Sequence, residues 1–194
     1  MKKVNFLNLR QMKKMKFIAM AIFATVVLTS CDDDDTPEAV NDEEVITTMT
    51  VTLTPSTGGT AVTLQTQDLD GEGPNAPVVT VSGNLTSGVV YNGVIVLLNE
   101  TESPAENITE EVEEEDDDHQ FFYTIGTGLN ATTTYSNFDG NGNNLGTEFA
   151  LTAGTASSGN ITFTLRHEPT KPNEGLSDAG GETDIEATFS VTIQ

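Results

Sequence analysis

Tryptophan is missing from this 194-residue chain, cysteine occurs once, histidine twice, and lysine and arginine number 8 against 30 aspartates and glutamates. Each scarcity removes a class of function. A single cysteine excludes an intrachain disulfide framework and any multi-cysteine zinc or iron–sulfur site. With 6 % aromatic residues and no tryptophan, a sugar-stacking platform is disfavoured. The formal charge of −22 opposes nucleic acid, whose phosphates it would repel. There is no Gly-x-Ser-x-Gly elbow, no His-Glu-x-x-His pair and no phosphate-cradling glycine loop. The chain therefore reads as a non-enzyme, and its length suits one folded domain.

The few positive charges are placed unevenly. Lys2, Lys3, Arg10, Lys13, Lys14 and Lys16 all precede the first acid, Asp32, and only Arg166 and Lys171 come later. A 12-residue apolar run, Phe17 to Leu28, follows the basic stretch and leads into Thr29-Ser30-Cys31. Basic, then apolar, then small is the order of a secretory signal peptide. The run is shorter than the roughly 20 residues that span a bilayer, so a permanent transmembrane helix is not expected. Leu28-Thr29-Ser30-Cys31 resembles the bacterial lipobox, whose cysteine is acylated and becomes the new N-terminus. Residues 1–30 are thus expected to be removed and Cys31 to be a lipid anchor. Asp32 to Asp35 follow at once, and residues 31–46 read as an acidic linker with eight acids.

From residue 47 the pattern changes to period two. Met49, Val51 and Leu53 alternate with threonines, and Ile185, Ala187, Phe189, Val191 and Ile193 alternate with polar residues to the last position. Such alternation marks strands with one buried and one wet face. Further segments lie near 60–66, 78–83, 89–99, 120–125, 147–152 and 160–167, with a weaker one near 131–137, separated by Gly, Asn, Asp and Pro. The 28 threonines after residue 30 suit exposed strand faces. Residues 47–194 are therefore expected to form an all-β domain, a two-sheet antiparallel β-sandwich of roughly immunoglobulin-like type. One short acidic helix is expected over about 104–116, with Ser103 as cap and Pro104 in its first turn. Eight of the nine residues from Glu110 to Asp118 are acidic. Negative charge at a helix C-terminus opposes the macrodipole, so this end needs something positive to hold it.

The two histidines are the most informative side chains. His119 shares strand parity with Phe121, Tyr123 and Ile125, and His167 with Ile161, Phe163 and Leu165. Were these strands antiparallel neighbours, both imidazoles would lie at one end of a sheet. With Glu115, Asp118 or Glu168 they would make a His₂–carboxylate site for zinc or copper. Two axial histidines on haem, or simple capping of strand ends, are the alternatives. Two turns resemble calcium loops: Asp68, Asp70 and Glu72 in one, Asp139, Asn141 and Asn143 in the other. The first lacks the closing Glu, and the second lacks both that Glu and the sixth-position Gly. Both also fit ordinary hairpin turns.

Cys31-Asp32-Asp33-Asp34-Asp35, His119-Gln120-Phe121-Phe122-Tyr123 and Leu165-Arg166-His167-Glu168-Pro169-x-Lys171-Pro172 resemble a family of small flavobacterial surface lipoproteins. The likeness extends to residues 180–186. Members are sometimes labelled "type 1 periplasmic binding fold superfamily", a name that implies a two-lobed α/β structure and conflicts with the alternation here. The resemblance implies an outer-membrane address, with export to the cell surface signalled by the aspartates and the periplasmic face as the alternative. The expected role is an accessory lipoprotein that binds a ligand or partner, with a metal ion and an outer-membrane uptake receptor as candidates. The alternative is an acidic protein-interaction or structural module without a small-molecule ligand.

Overall fold

The computed structural model describes residues 44–71 and 73–194. Among these residues the chain runs β1 (Thr48–Pro55), β2 (Val62–Gln67), β3 (Val78–Val81), β4 (Val90–Asn99), β5 (Glu106–Asn107), α1 (Ile108–Glu114), β6 (His119–Ile125), β7 (Ala131–Tyr135), β8 (Glu148–Ala153), β9 (Ser157–His167), α2 (Leu176–Ala179) and β10 (Glu182–Ile193). The strands form two antiparallel sheets, the layers of the expected β-sandwich. The larger has the order β3-β2-β1-β4-β8-β7, with β5 added beside β4, and the smaller has the order β10-β9-β6. Every segment with period-two alternation becomes a strand.

The alternating apolar residues of both sheets meet in one core. Val51, Leu53, Leu64 and Leu97 from the larger sheet and Phe121, Phe163, Leu165 and Phe189 from the smaller have no solvent exposure. Removing each such side chain from water contributes roughly 1.5–3 kcal/mol. Phe149 of β8 and Phe163 of β9 bring their rings to 5.6 Å. Gly93 makes room for the first of them: it pairs directly with Phe149, and a Cβ there would lie 2.3 Å from the ring.

Helical structure departs from expectation: α1 spans Ile108–Glu114 rather than about 104–116. Instead of starting at Pro104, the chain extends through Glu106 and Asn107, which pair with Asn99 and Leu98 of β4. A ladder partner outcompetes the local capping signal, so α1 begins at Ile108 and seats Ile108 and Val112 in the core. The acidic stretch beyond α1 receives its positive partner: Lys171 Nζ donates to the Asp116 carbonyl and lies 3.3 Å from Asp139 Oδ2. A second helix, the single turn α2, was not expected and lies in the connection between β9 and β10. The expected signal peptide, the acylation site Cys31 and most of the linker lie outside the described residues. Residues 44–47 belong with the sandwich, since Thr47 donates its N–H to the Leu98 carbonyl and Ile46 packs against the core.

Candidate metal centre

The smaller sheet brings the two histidines together. β6 and β9 are antiparallel neighbours in a register that sets His119 directly opposite His167. Partners across such a pair project to the same face, and both rings turn inward at the sheet's end with centroids 4.6 Å apart. His119 is wholly buried and His167 is 5 % exposed. The third strand adds a carboxylate. β10 pairs Thr183 with Arg166 and Ile185 with Leu165, so Asp184 is an extra residue in a β-bulge. A bulge re-aims the side chain it inserts. Asp184 thereby enters the sandwich, with no side-chain exposure, rather than alternating outward. Glu44, just ahead of β1, supplies the fourth group, its side chain 8 % exposed.

The four side chains surround a common point. His119 Nε2 lies 3.2 Å from Glu44 Oε1 and 3.8 Å from Asp184 Oδ2. His167 Nδ1 lies 3.6 Å from Glu44 Oε2 and 3.7 Å from Asp184 Oδ1. Three of these separations are too long for hydrogen bonds. They lie a few tenths of an ångström beyond the edges, about 3.3 Å long, of a tetrahedron drawn around zinc with bonds of about 2 Å, so a small inward shift would seat an ion. One ligand atom from each residue falls within 4.8 Å of all the others. Glu44 Oε2, His119 Nε2 and His167 Nδ1 are buried without a hydrogen-bond partner. His119 Nδ1 sits 3.2 Å from the Glu115 carbonyl oxygen, which only accepts. In the neutral ring Nδ1 therefore carries the hydrogen, and Nε2 turns its lone pair into the cluster, as metal-binding histidines do. Neutral imidazoles leave two buried carboxylates at a formal −2, which one divalent cation cancels. The field around the site is negative: partial burial, then Glu106, Glu44 and other acids, raise the Glu111 carboxyl above its ordinary value. The cluster has the donors, enclosure and charge to hold a metal ion.

The carboxylates expected to complete the site do not enter it. Glu115 contributes its main-chain carbonyl to His119 rather than its side chain. Asp118 offers a carbonyl too, accepting from the Glu168 N–H at 2.7 Å. Neighbours of a strand residue face the opposite side of the pleat, which turns Asp118 outward. Glu168 leaves β9 with φ of 48°, and its side chain is exposed. The groups used instead were hidden for different reasons. Glu44 is one of eight acids in a stretch read as linker, and Asp184 has the outward parity until the bulge is known. A buried macrocycle has no slot between rings this close with carboxylates at the same nitrogens, so the haem alternative does not fit.

The calcium-like turns spend their oxygens on the chain itself. Asp139 Oδ1 accepts from the N–H groups of Asn141 and Asn143, and Oδ2 accepts from the Asn143 side chain and Lys171. An ammonium thus occupies the position a calcium ion would need. The Asn141 side chain reaches Asp117 Oδ1. Asp68 Oδ1 accepts from the Asp70 N–H, and Asp70 Oδ2 takes the Asn75 side chain. Glu72 lies outside the described residues. Among the described residues, Glu44, His119, His167 and Asp184 form the one group of three or more such side chains placed to share an ion.

Comparison with known proteins places nothing beside this chain: no family model, no curated protein and no solved structure matches it.

Proposed function

We propose that this protein is a metal-binding lipoprotein of the outer membrane that holds one zinc ion between Glu44, His119, His167 and Asp184. The observation that carries the reading is the convergence of the four donors within 4.8 Å of one another, with three of the four histidine–carboxylate separations too wide for hydrogen bonds. Two imidazoles argue against calcium or magnesium, which take oxygen ligands. Four protein ligands in a closed site suit zinc held structurally, since a catalytic ion keeps a position open. Copper(II), above zinc in the general order of affinities, is the competitor.

The membrane address rests on the sequence: the basic stretch, the apolar run to Leu28 and the lipobox-like Leu28-Thr29-Ser30-Cys31 support lipid anchoring. Asp32 to Asp35 support the outer face, and the likeness to flavobacterial surface lipoproteins agrees. Among the described residues no helix is long and apolar enough to cross a membrane. An uptake receptor in the same membrane is the partner this address suggests.

Elemental analysis tests the reading. Purified protein should carry about one zinc per chain, and chelation should lower its melting temperature. At free zinc of 100 times Kd the expected stabilisation is about 2.7 kcal/mol. The double variant His119→Ala/His167→Ala should hold no zinc and show no shift. Equal metal affinity in wild type and double variant would sink the proposal.

A further inference from the structure

Of the four ligands, three stand on the strands of the smaller sheet, while Glu44 comes from the segment that leads into the other sheet. That segment is weakly held by anything else. Among the described residues, Thr47 makes its first backbone hydrogen bond, to Leu98, and Glu44, Val45 and Ile46 make none. Val45 is 57 % exposed, and Ile46 is only partly buried against the core. Glu44 nonetheless drives a carboxylate into a buried position where Oε2 has no hydrogen bond, facing a second carboxylate, Asp184, across the two imidazoles. An arrangement of like charges with so little backbone support calls for a cation at its centre.

We infer that the metal works as a clasp: its binding fastens the lead-in segment, residues 44–46, to the end of the smaller sheet, and its loss releases that segment. The inference rests on the metal reading above and adds to it a conformational consequence. Glu44 and Asp184 are 140 positions apart, so one ion ties the entry of the domain to its last strand. With zinc removed, Glu44 gains solvation and escapes Asp184 by swinging out, at the cost of the packing of Ile46 and the 3.2 Å contact of Glu44 Oε1 with His119 Nε2. The remaining ligands, His119, His167 and Asp184, stay together because β6, β9 and β10 hold them by ladder hydrogen bonds. Metal occupancy then sets whether residues 44–46 are held against the sandwich.

Limited digestion of the full chain with a serine protease that needs no zinc reads this directly, below the melting temperature of the metal-free protein. The N-terminus of the surviving fragment is identified by mass. With zinc it should lie at or ahead of Glu44, and after chelation it should move past Ile46. In Glu44→Gln, zinc should still bind through the other three ligands, with at least tenfold lower affinity, yet the fragment should begin past Ile46 in both conditions. A fragment end unmoved by zinc, in protein shown by titration to bind it, would overturn the clasp and leave the metal site standing. Protection of Glu44→Gln equal to that of wild type would overturn it as well. Failure of wild type to bind zinc at all would remove the metal reading and the clasp together.

Discussion

Gly181 shows how closely the backbone constrains the histidines. Its φ is 69°, and a Cβ on it would lie 2.2 Å from the His167 carbonyl oxygen. Only glycine lets the returning chain pass that near the end of β9 before entering β10. Gly181→Ala must therefore push His167 away from its partners without touching a ligand. Zinc affinity, measured by competition with a chromophoric chelator, is expected to fall about 10–100-fold, the usual effect of losing a ligand's support. Far-UV circular dichroism should be unchanged. Residue-scale reading of the sequence found His119 and His167 because two histidines share the inward parity of two apolar strands. It missed Asp184, since an inserted residue inverts parity and nothing in Gly181-Glu182-Thr183-Asp184 marks the insertion. Glu44 was illegible for another reason: its carboxylate differs from the acids around it only in where it ends up.

At the scale of elements, the turn from Asp139 to Asn143 and the acidic stretch after α1 hold each other through Lys171. Burial alone would raise the Asp139 carboxyl, but hydrogen bonds from Asn143 and Lys171 outweigh it and hold the group below its ordinary 3.8. A carboxyl whose value is lower folded than unfolded stabilises the fold above the unfolded value. That contribution is lost as pH falls through the folded value. Asp139→Asn should accordingly be less stable than wild type at about pH 7, with the gap closing as pH drops below about 4. Urea midpoints at the two pH values check this, and a constant gap would refute it. Lys171 is the positive group that the acidic stretch after α1 meets, through the Asp116 carbonyl. α1 itself illustrates the limit of local signals: Ser103-Pro104-Ala105-Glu106 has the residues of a helix start, but the pairing of Glu106 and Asn107 with β4 takes precedence.

Over the whole molecule, charge is the dominant imbalance. From Glu44 onward the chain carries 23 acids against Arg166 and Lys171, both of which are engaged, with Thr183 and with Asp116 and Asp139. Self-repulsion of this size destabilises a folded state and is weakened by salt. Raising ionic strength from about 0.01 M to about 0.15 M shortens the screening length from about 30 Å to about 8 Å. The melting temperature should rise over that range, both with zinc and without, and a fall would show that attractive pairs outweigh repulsion.

The sequence by itself determined the β-sandwich, the positions of nearly all its strands and the inward direction of both histidines. These follow from alternation, composition and short contiguous motifs, which act over a few residues and need no partner. Tertiary structure decided that β6 and β9 are neighbours in a register pairing His119 with His167. It also decided that a bulge turns Asp184 inward, that the lead-in segment delivers Glu44, and that Lys171 meets the acidic stretch. Each of these joins residues far apart in the chain, and their energies depend on register and packing across the sheets. A period of two records which face a side chain takes, and carries nothing about what lies opposite.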